Sequence, residues 1–244
     1  MSRKITIGHL YPALLNLYGD RGNIASLTKR CEWRGIEAEV ITYDLGEEID
    51  FEKLDIILLG GGSDREQKLV CEALRAQRGA LAAYVEEEGV LLAVCGGYEI
   101  LGTSYETANE TVEGLGLLDM KATYGKERLM GNAVIKSELT DMPIVGFENH
   151  TGRMQIGSYK PLGQLVAGKG NTGESGSEGV VYKNVIGTYL YGPLLPKNPQ
   201  LCDWLLLKAL EKRYGVSELE VLDDALEKEA NAYIVKRFAE QRDN

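Results

Sequence analysis

The chain is 244 residues long and holds only two histidines, His9 and His150. Any chemistry that needs an imidazole must draw on one of them. Cysteine is scarce too: Cys31, Cys71, Cys95 and Cys202 are widely spaced, with no CxxC pair. That spacing argues against a zinc knuckle and against a disulfide framework. Basic residues are outnumbered, with 27 Lys and Arg against 37 Asp and Glu, and the formal net charge is -10. Such a chain lacks the electrostatic footprint of a protein that binds nucleic acid or an anionic membrane. No apolar run reaches the roughly 20 residues of a membrane span. Arg3 and Lys4 precede an apolar segment, but Gly8, His9 and Asn16 interrupt it and no small-residue cleavage site follows. It therefore reads as a first strand rather than a signal peptide, and the expected location is cytoplasmic.

The rest of the composition is ordinary for a globular protein, with 44% hydrophobic and 26% charged residues. Lys4 to Leu10 reads as a buried strand. Asn23 to Arg34 reads as a helix, with Ile24, Leu27 and Cys31 at helical spacing and Gly35 as its stop. Glu37 to Tyr43 alternates as a second strand. Asp55 to Leu59 is a short continuous apolar run, the signature of a central parallel strand. Arg65 to Glu88 predicts two helices broken near Gly79. Val90 to Val94 is another buried strand, and Gly96 to Leu101 opens the next helix. This alternation predicts an α/β fold with helices on both faces of the sheet.

After Thr107 the pattern shifts to short β-rich segments: Ala133 to Ile135, Ile144 to Phe147, Leu165 to Val166, Gly179 to Tyr182 and Val185 to Tyr189. Gly168 to Gly179 reads as a mobile surface loop. Leu201 to Lys212 and Ala225 to Arg237 read as amphipathic helices. The expected organisation is one domain over residues 1–215, with a helical tail over 216–244 packed on it. The tail is either a solvated helix pair covering the flank or a docking surface for a partner.

Two segments carry chemistry. In Val94-Cys95-Gly96-Gly97-Tyr98 the cysteine stands where a strand turns into a helix. Such an elbow exposes a sulfur at the C-terminal edge of a sheet, and the following helix start favours a thiolate. The bland alternative is a buried cysteine beside a tight turn. Gly60-Gly61-Gly62-Ser63-Asp64 also follows a strand and belongs on the same edge. Its successive N–H groups suit an oxyanion, or alternatively a phosphate or merely a tight turn. No Gly-Lys-Ser/Thr follows, so it is not a P-loop.

Several segments together resemble class I glutamine amidotransferases of the cobyric-acid-synthase-like type, and within them the glutaminase subunits of lipid II isoglutaminyl synthases. They are Leu15 to Asn23, Gly60 to Gln67, Cys95 to Tyr98, Gly146 to His150, and Gly187 to Leu190 through Pro196 to Asn198. The resemblance implies a flavodoxin-like fold with a mixed sheet. It implies that Cys95 attacks the side-chain amide of glutamine, releasing ammonia and leaving a thioester that water hydrolyses. Backbone N–H groups at Gly61, Gly62 and Gly96 would hold the oxyanion, and Arg128 would hold the substrate. The ammonia would pass to a Mur-ligase-like partner subunit of the MurT type, which amidates the D-glutamate of lipid II. ATP and Mg are expected in that partner and no cofactor in this chain. Cobyrinate-type members fuse the glutaminase to a synthetase domain. This chain starts at the first strand, so the expectation is a stand-alone subunit.

Two positions depart from the family pattern. Tyr191 stands where the catalytic histidine is expected, and a phenol of pKa ~10 is a poor base at neutral pH. Glu99 stands where related enzymes often carry glutamine, and a carboxylate there would oppose a Cys95 thiolate. His9 and His150 read as structural, with His150 a weak substitute base. Tyr191 thus marks an engineered change, a natural site in which another group helps Cys95, or a scaffold that has lost the glutaminase step.

Overall fold

The computed structural model describes residues 3–17 and 19–239. Its first sheet contains β1 (Lys4–Leu10), β2 (Glu37–Tyr43), β3 (Ile56–Leu59) and β4 (Val90–Val94). Between these strands run α1 (Asp20–Glu32), α2 (Asp64–Arg75) and α3 (Arg78–Glu86), and α4 (Gly96–Ile100) follows β4. The chain then enters a second sheet through β5 (Ser104–Glu106), β6 (Thr111–Glu113), β7 (Lys121–Lys136), β8 (Ile144–Gln155), β9 (Gly163–Ala167) and β10 (Ser177–Glu178). It returns to the first sheet with β11 (Val180–Tyr182) and β12 (Val185–Thr188), and ends with α5 (Pro199–Tyr214) and α6 (Ala225–Ala239).

The first sheet runs in the order β11-β12-β4-β3-β1-β2. All its pairings are parallel except β11 with β12. Every residue of β3 and β4 is completely buried, which requires cover on both faces and explains their unbroken apolar runs. Helix α5 packs on β3, β4 and α1. At the sheet edge β2 keeps Val40 37% exposed, so its alternation is the weakest of the four. Ser63 and Glu66 form a reciprocal capping box at the start of α2, which fixes where the glycine turn ends.

The structure departs from or sharpens the sequence reading in several places. Helix α1 begins at Asp20 rather than Asn23, so Gly19 caps it and Gly22 lies within its first turn. The break between α2 and α3, expected near Gly79, falls at Ala76 and Gln77. The Gln77 side chain accepts the Ile49 N–H at 2.7 Å, and this tertiary bond places the break. The short segments expected around Ala133 and Ile144 are parts of a long antiparallel ribbon, β7 with β8. Much of β7 is solvent-exposed, so most of it lacks the apolar alternation that signals a strand. Residues 168–179 are anchored at both ends by Glu148 and Asn171, with Glu174, Ser175 and Gly176 exposed at the tip. Asn171 is buried; its side chain donates to the Gly179 carbonyl at 3.0 Å and accepts the Gly179 N–H at 2.9 Å.

The tail contains one helix among its described residues, not a pair. Ile234, Val235 and Phe238 of α6 pack on Val134, Val145 and Ala167 of the second sheet. The tail is also held at its entry. Buried Arg30 of α1 forms two-pronged pairs with Asp203 of α5 (2.6 and 2.7 Å) and with Asp224 (2.6 and 2.9 Å). The planar guanidinium fork suits two carboxylates at once.

Candidate active site

The parallel register builds the site. Leu59 lies beside Ala93, and Thr188 lies beside Val94. Continued past the strand ends, the same register brings Gly61, Cys95 and Tyr189 level along the C-terminal edge, with strands ~4.8 Å apart. This edge is where open α/β sheets bind ligands. Cys95 sits there with φ 51° and ψ -111°, a conformation that costs a non-glycine residue of order 1–3 kcal/mol. Its N–H is held by the Thr188 carbonyl at 2.8 Å. Cys95 is 7% exposed and caps the five-residue α4.

Glycine is required at the next turns for close approach. A Cβ on Gly97 would collide with the Leu59 and Gly60 carbonyl oxygens, and one on Gly60 would collide with the Leu15 carbonyl and the Asp20 carboxyl. The start of α4 therefore lies directly on the glycine turn, and Gly61 and Gly96 belong to one patch of backbone. Asp20, which the sequence reading passed over, faces this patch. Its buried carboxyl accepts the Gly61 N–H in a long 3.4 Å bond, and burial pushes its pKa up to about 6.

Tyr191 is brought to the same place. It pairs in an antiparallel bridge with Phe147, donating its N–H at 3.0 Å and accepting at 3.1 Å. Its phenol is pushed up to about 12, by burial first and by the field of Cys95 second. The side chain of Asn149 hydrogen-bonds it, and Arg128 pulls weakly the other way. Arg128 lies in β7 beside a register irregularity between Tyr124 and Leu129, and its Nη1 donates to Asn149 Oδ1 at 2.9 Å. The structure thus gathers Arg128, Asn149 and Tyr191 around Cys95. Asn149 was legible only as part of the Gly146 to His150 segment.

Behind the row lies a buried polar layer. Glu99, one turn after Cys95, accepts the Tyr189 hydroxyl at 2.8 Å and the Gln67 amide at 2.9 Å. Burial raises the pKa of its carboxyl. Buried Glu178 accepts the Tyr189 N–H at 2.7 Å and the Thr188 hydroxyl at 2.9 Å, and burial pushes it up to about 8. The His150 ring stacks on Tyr189 with centroids 3.6 Å apart. Its Nδ1 lies 2.8 Å from the Gly152 carbonyl, so Nδ1 carries the proton. His150 Nε2 has no hydrogen-bond partner among the described residues. His9, on β1, is buried and pushed down to about 4, chiefly by desolvation.

The other three cysteines are buried, and burial pushes the thiol pKa up to about 11 at Cys31 and about 12 at Cys202. Among the described residues no three His, Cys, Asp or Glu side chains are grouped to hold a metal ion. Nor is any helix among them long and apolar enough to cross a membrane.

Comparison with known proteins agrees with this geometry. Residues 6–199 match the CobB/CobQ-like glutamine amidotransferase domain family. The chain is 41% identical over 240 residues to the lipid II isoglutaminyl synthase (glutamine-hydrolyzing) subunit GatD of Staphylococcus aureus strain N315, covering 98% of each chain. It is 39% identical over 230 residues to the subunit of the same name from Streptococcus pneumoniae strain R6, covering 93% of this chain and 88% of that one. A crystal structure of a glutamine amidotransferase superposes with a TM-score of 0.56 at 18% identity, covering 83% of this chain and 98% of that one.

Proposed function

Because the chain belongs to the CobB/CobQ-like glutamine amidotransferase family, we propose that it is the glutaminase subunit of a lipid II isoglutaminyl synthase. The observation that carries this reading is Cys95, held at φ 51° on the sheet edge, level with the glycine turn. The resemblance to GatD subunits over nearly the whole chain supports the choice of pathway. The Cys95 sulfur attacks the side-chain carbonyl of glutamine. Backbone N–H groups of Gly62 and Gly96 receive the oxyanion, so charge develops against fixed dipoles, whereas the Gly61 N–H expected to join them is directed at the Asp20 carboxyl. Arg128 binds the substrate carboxylate as a two-pronged donor. The C–N bond breaks, ammonia leaves, and water hydrolyses the γ-glutamyl thioester to glutamate. The ammonia goes to a Mur-ligase-like partner of the MurT type, which uses ATP and magnesium to amidate the D-glutamate of lipid II in the cytoplasm.

One observation favours a second reading. A phenol pushed up to about 12 at position 191 does not take a proton from a thiol at neutral pH. On that reading the chain is a scaffold for a ligase fed with free ammonia. Ammonia release from glutamine, measured on the complex, separates the two. Release that Cys95→Ala abolishes supports the glutaminase. No release, with a large gain in Tyr191→His, supports the scaffold.

A further inference from the structure

Helix α6 covers the second sheet only in part. Ile234, Val235 and Phe238 pack on it, while Leu226 and Tyr233 stay 78% and 61% exposed. Between helix and sheet lies a cavity of about 680 Å³, walled by Val145 and Gly146 of β8, by Pro193 and Pro196, and by Ala230 and Ile234 of α6. That size falls within the ~300–1,000 Å³ of small-molecule sites. An unfilled apolar gap also forfeits the dispersion contacts of its lining.

One cation stands in this apolar lining. Lys197 ends the short 3-10 turn Leu195–Lys197 and borders the cavity. Among the described residues its ammonium has no hydrogen bond and no ion pair, and burial alone lowers its pKa. The amine is tucked against backbone: a Cβ on Gly192 would come within 3.3 Å of Nζ. Removing a charge from water without a counterion is costly, so such a group calls for an anion. Glu229, the acidic residue of the lining, is exposed and does not pair with it. Asn231 lies in the same wall. Its Nδ2 donates to the Pro143 and Lys197 carbonyls, while its Oδ1 has no partner among the described residues. The wall is therefore incomplete in its polar groups as well as its packing. The cavity also adjoins the Phe147–Tyr191 bridge, since Gly146 lines it and Gly192 touches Lys197.

We propose that this cavity is a ligand site, separate from the Cys95 centre, for an apolar monocarboxylate. The carboxylate sits on Lys197, and a hydrocarbon or aromatic body lies against Val145, Pro196 and Ile234. Lys197 is the one basic residue of the lining, and Glu229 opposes a second negative charge, so the ligand carries a single one. The recessed amine suits a slender free acid better than a carboxylate on the surface of another protein. The proposal does not depend on the glutaminase reading.

The test is a methyl NMR titration of the full chain with octanoate, 3-phenylpropionate and 1-octanol. At least one of the two acids should give saturating shifts at the Val145 and Ile234 methyls, and the tighter of them identifies the body as chain or ring. Octanol keeps the octyl chain but not the charge. It should bind at least about tenfold more weakly than octanoate, the worth of one charge-assisted hydrogen bond. Lys197→Met keeps an apolar stem and the backbone carbonyl that Asn231 uses. In that variant octanoate should weaken to the level of octanol, with octanol unchanged. The wild-type comparison of acid and alcohol decides the matter even if the variant folds poorly. No saturation by either acid up to about 10 mM would overturn the proposal. So would equal affinity for octanoate and octanol, an acid affinity indifferent to Lys197→Met, or shifts confined to other residues. Methyls shielded by the ligase partner, with neither acid bound by the free chain, would make this face a subunit contact and overturn the proposal as well.

Discussion

Asp20 places a carboxyl under the glycine turn, and its pH dependence has a definite sign. Burial raises its folded pKa to about 6, above the ordinary carboxylate value. Between pH 4 and pH 6 the folded state therefore holds a proton that the unfolded state has lost, and stability falls as pH rises through that window. The displacement of about two units corresponds to ~3 kcal/mol. His9 works oppositely: its folded pKa is pushed down to about 4, so it contributes stability that is lost as pH falls through that value. Comparing wild type with Asp20→Asn isolates the Asp20 part. Urea unfolding should show equal stability near pH 4, with the variant ahead by up to ~3 kcal/mol at pH 7. Cys95 could be read from the sequence because an elbow leaves a local signature, small residues after an apolar strand. Asn149 left only its place in the Gly146 to His150 segment, because its contact with Arg128 comes from the paired ribbon.

At the scale of elements, the junction of α4 with the glycine turn is the most constrained contact. Gly97→Ala would push a Cβ into two backbone carbonyls, whereas Gly96→Ala would meet the Gln67 side chain. Backbone cannot move as a side-chain amide can. Thermal unfolding should therefore show Gly97→Ala losing more than ~2 kcal/mol and Gly96→Ala clearly less. Strands β1, β2 and β4 were legible to the residue, because each is bounded by turn residues and either alternates or is apolar throughout. The β7–β8 ribbon was not. Much of β7 faces solvent, so its pairing with β8 carries the information that a hydrophobic pattern would otherwise supply.

At the scale of the whole molecule, α6 belongs structurally to the second sheet. Asn231 is 2% exposed and donates to the Pro143 and Lys197 carbonyls at 3.1 and 3.2 Å. Asn231→Ala should lower stability by ~1–2 kcal/mol in thermal unfolding, since two partly buried carbonyls lose their donor. If the tail only covers the flank, a chain shortened after Val216 should still form the ligase complex, with a lower melting temperature. Loss of the complex by an otherwise folded chain would make the tail a docking element.

The central claim is that Cys95 breaks down glutamine even though tyrosine stands at position 191. It is tested most directly by ammonia release from glutamine, measured on the assembled complex at neutral pH. The account predicts steady release by the wild-type chain and a loss of at least about a thousandfold in Cys95→Ala. Release that is equal in both, or absent from the wild type, would contradict it.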